Sequence, residues 1–272
     1  MKQKGIFDEN DRLQIINELG DPLQKLNEVI NWEMFRPVLN RIFKTEPKGP
    51  GGRPPFDYVM MFKILILQKL FHISDAQAQY QINDRLSFMR FLGQHLYDTV
   101  PDEKTIWHFR EQLVKSNMMD TLFYRFIHTL EEKGIITLNG SIVDATFVDK
   151  PKQRNSREEN DDIKNGKTPD EWNDEKNKHK KAQKDVDTRW AKKNDETHYG
   201  YKDHVKVDKD SKIIVEYSVT PANVHDSQEL GNLIDIEKDK VIYGDSAYTG
   251  EDVTECLGAV ENRIHEKGYR NK

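Results

Sequence analysis

Two stretches of the sequence decide the fold of its second half: "SIVDATFVD" at residues 141–149 and "KVIYGD" at residues 240–245. Both are rich in β-branched residues, which favours buried strands. Each also contains an aspartate, Asp144 inside the first stretch and Asp245 at the end of the second. A charge in a buried strand is costly unless it is paired or binds a metal. These two carboxylates are therefore the first candidates for a functional site.

The segments around these two stretches predict a mixed α/β sheet. Residues 199–220, "YGYKDHVKVDKDSKIIVEYSVT", have the alternation of two strands joined by a turn at residues 208–211. Residues 227–236 and 250–260 have helical spacing, and residues 262–268 read as a further strand. Three antiparallel strands followed by alternating helices and strands predict a mixed sheet with flanking helices for residues 135–272.

Residues 1–134 predict a separate, all-helical domain. Apolar residues recur three and four positions apart over residues 11–43, as on a one-sided helix. Residues 58–71, "YVMMFKILILQKLF", are apolar almost all round and predict a buried helix. Gly93 and Gly134 follow helical patterns at the position where helices commonly stop. The predicted class of the whole chain is thus α+β, with the helical domain first.

Residues 150–197 fit neither domain. Lys, Arg, Asp, Glu and Asn dominate this segment, and its few large apolar residues are Ile163, Trp172, Val186 and Trp190. Such a composition buries little apolar surface. We therefore expect a charged insertion, either mobile or an exposed helical arm, within the second domain.

Asp144 and Asp245 form a carboxylate pair if their strands lie side by side. Carboxylate oxygens suit Mg²⁺ or Mn²⁺, and a two-metal site can stabilise the attacking and leaving oxygens of a phosphodiester. Structural alternatives stay open for both residues. Asp245 could cap the turn that follows it, and Asp144 could pair with Lys202. Asp149 is a weaker candidate, because its strand already opens into the charged insertion there.

Three residues of one predicted strand face are candidates for DNA contacts. Lys202, His204 and Lys206 alternate with Tyr201 and three further residues, so that they share a face. That face either binds phosphates or is an ordinary solvated face. Arg53, in the Pro- and Gly-rich loop at residues 46–57, is another candidate, with an exposed loop charge as the alternative.

The stretch "PANVHDSQEL", residues 221–230, contains His225 and Asp226. These residues are either part of a site or the start of a helix. We favour the helix start, with Asp226 or Ser227 as the capping residue.

Composition narrows the possible cellular compartment and binding partners of the protein. The chain has 272 residues, a formal net charge of −5 and a single cysteine, Cys256, so an internal disulfide is excluded. No apolar run reaches the length of a membrane helix, and the N-terminus lacks the apolar core of a signal peptide. We therefore expect a cytoplasmic protein without a membrane partner. The mild acidity does not favour a nucleic-acid binder, although a local basic patch outweighs the net charge.

Several motifs in order make the chain similar to a known family. Residues 51–93 followed by "PDEKTIWHFREQL" at 101–113 resemble the N-terminal helical domain of bacterial insertion-sequence transposases of the DDE type, in the IS-five family. "SIVDATFVD", "HYGYKDHVKVD", "VTPANVHDSQ" and "YGDSAYTG" resemble its IS-four-like catalytic domain, in the same order and spacing. The resemblance extends over nearly the whole chain.

The resemblance implies a ribonuclease-H-like fold for residues 135–272. It implies that Asp144 and Asp245 are two of three acids that hold divalent ions, Mg²⁺ or Mn²⁺. It also implies an enzyme that cuts and joins double-stranded DNA at terminal inverted repeats, acting as a homo-oligomer in the bacterial cytoplasm. Arg53, the helical domain and the strand of Lys202 would then contact DNA, mainly at phosphates.

The family pattern places the third acid on a helix after the last strand. The late glutamates Glu261 and Glu266 lack the arginine and lysine that accompany that acid. We therefore expect a chain truncated before this helix and inactive in that form. The alternative is a non-catalytic DNA-binding fragment that acts as an inhibitor of an intact transposase, or a gene remnant.

Overall fold

The structure, a computed structural model, describes residues 8–43, 54–150, 154–193 and 195–265. The chain divides into two compact units, Met1–Thr129 and Leu130–Lys272, and the sequence predicted a boundary at residue 134. The helices of the first unit are α1 (Asp8–Glu18), α2 (Pro22–Val29), α3 (Arg36–Phe43), α4 (Tyr58–Phe71), α5 (Asp75–Asp84), α6 (Leu86–Leu92), α7 (Glu103–Lys115) and α8 (Met119–Glu132), with a 3₁₀ helix at Trp32–Phe35. The last helix, α8, runs across the division.

Local sequence sets the ends of these helices. Ser74 and Gln77 form a capping box at the start of α5, each side chain accepting a hydrogen bond from the other's backbone N–H. The Asp102 carboxylate accepts a 2.7 Å hydrogen bond from the Thr105 backbone N–H at the start of α7. Gly93 ends α6 at a φ of 73°, a conformation that glycine adopts without strain.

The all-round apolar helix α4 lies in the core of the first unit, as predicted. Its Ile64 and Leu67 are fully buried, together with Leu39, Ile82 and Ile106 from neighbouring helices. Burying each such side chain contributes about 1.5–3 kcal/mol. No helix in the described part of the chain combines the length and apolar character needed to cross a membrane.

The second unit is built on one mixed sheet. Its elements are β1 (Ser141–Asp149), α9 (Arg157–Lys164), α10 (Lys178–Gln183), β2 (Arg189–Lys193), β3 (Glu196–Asp208), β4 (Ile214–Pro221), α11 (Asp226–Leu233), β5 (Val241–Gly244), α12 (Glu251–Leu257) and β6 (Glu261–Ile264), with 3₁₀ helices at Asp170–Trp172, Glu175–Asn177 and Ser246–Tyr248. Strand β3 pairs antiparallel with β1, β2 and β4. Strand β5 is parallel to β1 and to β6.

This pairing places β1 at the centre, between the antiparallel strands and the parallel pair β5 and β6. The antiparallel strands β1, β3 and β4 are joined, through β1, to the parallel strands β5 and β6. This order is the ribonuclease-H-like arrangement that the resemblance implied. The α+β class predicted from the sequence is confirmed.

Helices α11 and α12 cover one face of the sheet, which we call the inner face. Its apolar cluster consists of Val143, Leu230, Leu233, Ile242, Tyr248, Val253, Leu257 and Val260. Because side chains alternate along a strand, the neighbours of Val143 and Ile242 belong to the opposite, outer face.

The charged insertion is a folded part of the second unit over its described residues, 154–193. Trp172 is buried, and its indole N–H donates a 2.7 Å hydrogen bond to the Glu159 carboxylate, which also pairs with Lys184 at 2.8 Å. Strand β2 adds to the sheet by pairing with β3. Over these residues, one tryptophan and several satisfied polar groups take the place of a larger apolar core. Whether the insertion is mobile or an exposed helical arm stays a prediction.

Gly200 allows β1 and β3 to approach closely, which leads to a stability prediction. A Cβ atom at this position would lie 2.1 Å from the Val148 carbonyl oxygen and 2.9 Å from the Lys150 backbone nitrogen. Since both neighbours are backbone atoms, Gly200→Ala must displace the strand. We expect a loss of at least about 3 kcal/mol in the free energy of unfolding measured with urea.

Gly140→Ala is the matched control for this prediction. A Cβ atom there would meet only side-chain atoms, of Lys209 at 3.1 Å and of Tyr243 at 3.2 Å. These side chains can shift, so we expect a change of less than about 1 kcal/mol. Equal losses in the two variants would show that the close approach of β1 and β3 at Gly200 does not cause the loss of stability.

Candidate active site

The register of β1 and β5 brings the two candidate acids together. Ser141 pairs with Ile242, and Ile142 pairs with Tyr243. The same offset, carried two residues further, places Asp144 beside Asp245, which directly follows the last residue of β5. Neighbouring strands lie about 4.8 Å apart. Continued in this way, the register makes the two residues neighbours at the point where β5 ends.

Each acid has a carboxylate oxygen that is not used by the described residues. Asp144 is exposed, and its Oδ1 accepts a 2.8 Å hydrogen bond from the Ala145 backbone N–H. Asp245 is also exposed, and its Oδ1 accepts a 2.9 Å hydrogen bond from the Ala247 backbone N–H at the start of a 3₁₀ helix. Asp245 thus does cap the following turn, and this cap leaves its Oδ2 open to a further ligand.

Tyr248, the last residue of that 3₁₀ helix, belongs to the inner-face cluster. Its side chain is 1% exposed, and its hydroxyl oxygen has no hydrogen-bond partner among the described residues. Burial raises the pKa of Tyr248, and the negative charges of Asp226, Asp144 and Asp245 raise this pKa further. The hydroxyl is therefore neutral and lies within electrostatic range of both acids. The sequence offered one signal for this residue, an aromatic three positions after an aspartate among small residues.

The carboxylates of Asp144 and Asp245 have the chemistry of ligands for a divalent cation. Two like charges side by side repel each other, and a cation bound between them would remove this repulsion. Carboxylate oxygens are the ligands that Mg²⁺ and Mn²⁺ prefer. Within residues 8–43, 54–150, 154–193 and 195–265, no group of three Asp, Glu, His or Cys side chains could hold a metal ion.

Two families of known proteins match this chain. Residues 10–112 match a family described as "Transposase domain (DUF772)". Residues 137–265, which include both acids, match a family described as "Transposase DDE domain". The chain belongs to the DDE transposases.

A solved structure is also similar to this transposase. It is the cryo-EM structure of the piggyBac transposase synaptic complex with hairpin DNA, with a TM-score of 0.36 and 13% sequence identity. The match covers 89% of this chain and 50% of that chain, so the transposase spans half the length of that protein. The narrower IS-five assignment stays a prediction.

The structure corrects the role of Lys202, His204 and Lys206 in the transposase. The predicted alternation along β3 is right, but these residues occupy the inner face, paired with Phe147, Ala145 and Val143 of β1, respectively. All three side chains are buried. They form neither a solvated face nor a surface for DNA phosphates.

Each buried group on β3 has a partner from elsewhere in the chain. The Lys202 ammonium donates hydrogen bonds to the Asp226 carboxylate at 2.7 Å and to the Val224 carbonyl at 2.6 Å. The proposed pairing of Lys202 with Asp144 is therefore wrong. The Lys206 ammonium pairs with Asp239 at 2.8 Å. Because these partners come from distant segments, the period-2 pattern alone could not show which face was buried.

His204 is held in the neutral form. Its Nε2 lies 2.8 Å from the Thr220 hydroxyl oxygen, and its Nδ1 has no hydrogen-bond partner among the described residues. Burial lowers the pKa of His204. A neutral, fully buried imidazole cannot contact DNA phosphates.

Some of the remaining candidates lie among the residues that the structure describes, and others lie outside them. His225 caps α11, its ring nitrogen accepting from the Ser227 N–H at 3.3 Å, whereas we expected Asp226 or Ser227 in that position. The Asp149 Oδ1 atom lies 3.3 Å from Nδ1 of His198. Glu261 lies on β6 and pairs with Arg263 at 2.6 Å. Arg53 and Glu266 lie outside the described residues.

Proposed function

We propose that this transposase binds the terminal inverted repeats of an insertion sequence and cuts and joins DNA, with Asp144 and Asp245 as two of its cation ligands. The observation that carries the proposal is the parallel register of β1 and β5, whose continuation by two residues would bring Asp144 and Asp245 next to each other. The match to a transposase DDE domain over residues 137–265 supports the same assignment.

The two acids would hold Mg²⁺ or Mn²⁺ through the carboxylate oxygens that the described residues leave unused. Such a cation supplies Lewis-acid stabilisation of the phosphodiester and activates an attacking oxygen. Asp245 would be oriented for this task by the Ala247 backbone N–H, and Asp144 by the Ala145 backbone N–H. Residues 246–250 are small or turn-forming apart from Tyr248, which leaves room for a DNA backbone above the acids.

We do not place the DNA contacts on the inner face of β3, because its residues are buried. The helical unit and the loop that contains Arg53 remain proposed contacts, and the protein is proposed to act as a homo-oligomer on DNA in the bacterial cytoplasm. Contacts of Lys and Arg with phosphates would make the affinity fall steeply with salt.

The test uses the full chain and a labelled duplex from each end of the DNA element that encodes it. Strand cleavage in Mn²⁺ that chelation abolishes would support the proposed enzyme. Binding of the duplex without cleavage would instead favour the alternative, a DNA-binding fragment that inhibits an intact transposase. Absence of binding even at low salt would reject both functions.

A further inference from the structure

Three hydrogen-bond donors lie together on the outer face of the sheet. The Lys209 ammonium donates a 3.3 Å hydrogen bond to the Tyr243 hydroxyl oxygen and lies 4.8 Å from the centre of the tyrosine ring. The Arg263 guanidinium lies 6.0 Å from the centre of the same ring. Cations at these distances are attracted to an aromatic ring. We call Lys209, Tyr243 and Arg263 the donor cluster.

Strand alternation places the donor cluster on the same face of the sheet as the two acids. Ile242 belongs to the inner-face cluster, so Tyr243 lies on the outer face, and so does Asp245, which follows β5 in extended backbone. Asp144 shares this face by the same alternation along β1. Arg263 pairs with Tyr243 across β5 and β6. Tyr243 precedes Asp245 by two residues, a distance of about 7 Å along a strand.

The donors of the cluster are open to a further partner. Lys209 is exposed and forms no ion pair with any residue that the structure describes. The Tyr243 oxygen accepts from this lysine, so the hydroxyl proton is available to another acceptor. Arg263 is also exposed, and Glu261 accepts from its Nε at 2.6 Å, a bond that does not use the two terminal nitrogens.

The chemistry of these donors fits a phosphate group. Two cations beside one ring repel each other, and an anion bound between them would remove this repulsion. Lysine and arginine form charge-assisted hydrogen bonds with phosphate oxygens, and the tyrosine hydroxyl would add a neutral donor. A DNA strand carries one phosphate for about every 3.4 Å of helix axis, so successive phosphates of one strand could reach both the acids and the cluster.

We infer that the donor cluster binds the DNA backbone beside the cleavage site, at a phosphate about two nucleotides from the one that lies at Asp144 and Asp245. This contact would align the strand with the acids, and it would read no base sequence, because phosphate contacts carry none. The inference rests on the proposed function, since it requires DNA at the acid pair.

The double variant Lys209→Gln with Arg263→Gln tests the inference through the salt dependence of DNA binding. Fluorescence anisotropy measures the affinity of the full chain for the labelled end duplex between about 50 and 200 mM salt. We expect weaker binding and a slope of log affinity against log salt that is smaller by about 0.9, the amount for one lost phosphate contact. The weakening should be the same for a duplex of unrelated sequence.

Tyr243→Phe removes the hydroxyl and keeps both charges of the cluster. This variant should weaken duplex binding without changing the salt slope. Mn²⁺ affinity should stay at the wild-type value in it and in the double variant, because the cluster does not ligate the cation. Thermal unfolding of each variant checks that the chain remains folded.

Lys164→Gln is the matched control for the loss of an exposed positive charge. Lys164 lies in the same unit, on α9, and its ammonium is 3.7 Å from the Asp161 carboxylate. We expect wild-type affinity and a wild-type salt slope in this variant. A slope reduced as much as in the double variant would show that net charge, and not the donor cluster, sets the salt dependence.

Three further results would overturn the inference, and they differ in what they leave standing. Wild-type affinity and slope in the double variant reject the donor cluster and leave the proposed function standing. Inorganic phosphate that binds the wild type but not the double variant, with duplex binding equal in both, assigns the cluster to a free anion. A wild-type chain that binds no duplex even at low salt rejects the proposed function and the inference together.

Discussion

Asp245→Asn is expected to weaken Mn²⁺ binding by at least about 100-fold while the chain stays folded. Asparagine caps a helix about as well as aspartate, so the hydrogen bond from the Ala247 N–H persists. What is lost is the negative charge that a divalent cation requires. The substitution therefore separates the capping role of Asp245 from its proposed role as a ligand.

Asp144→Asn should have an effect of similar size, because the two acids are proposed to share one cation. The measurement is a Mn²⁺ titration of the full chain, with circular dichroism as a check on folding. Asp149→Asn is the control, since it changes the same residue type on the same strand, at a carboxylate that contacts His198. A wild-type affinity in both acid variants would remove the acid pair as the metal site.

Asp239→Ala is expected to lower the free energy of unfolding by about 3–5 kcal/mol. The Asp239 side chain is fully buried and holds three donors: the Lys206 ammonium at 2.8 Å, the Ser141 hydroxyl at 2.6 Å and the Asp235 backbone N–H at 2.9 Å. Truncation leaves a buried ammonium without its counter-charge, and it leaves two polar groups unsatisfied. It should also loosen the start of β1, on which Ser141 lies.

Urea denaturation of the purified chain measures this loss. Asp161→Ala is the matched control, because its ion pair with Lys164 at 3.7 Å is exposed on both sides and should change stability by less than about 0.5 kcal/mol. A double variant, Lys206→Met with Asp239→Ala, should recover part of the loss, since no unpaired charge remains. Similar losses for Asp239→Ala and Asp161→Ala would contradict the importance of the buried pair.

Much of the fold and the acid pair could be predicted from local sequence. The β-branched stretches at 141–149 and 240–245 predicted strands, and both contain or directly precede an acid that interrupts their apolar pattern. Aspartate is rare in strands, so Asp144 and Asp245 stood out without any structure. Helix ends such as Gly93 could be predicted from the sequence, because capping depends on a few neighbouring residues.

The inner face of β3 shows where this reasoning failed. Lys202, His204 and Lys206 have the alternation of a solvated face, yet each is buried against a partner at least 16 residues away in the chain. Burial of a charge depends on whether a counter-charge reaches it, and nothing in a local pattern contains that information. The same limit hid Tyr248, whose lack of a hydrogen-bond partner exists only in the packed molecule.

The sequence by itself determined which segments form helices and strands, and it singled out the two acids, because these properties depend on short-range backbone preferences and side-chain periodicity. Only the tertiary structure decided that β1 and β5 are parallel neighbours, in a register that pairs Ser141 with Ile242 and Ile142 with Tyr243. The tertiary structure alone also decided that the side chains of Lys202, His204 and Lys206 on β3 point to the inner face. Strand order, register and the burial of charge are set by contacts between residues far apart in the chain, so they become visible only when those residues meet.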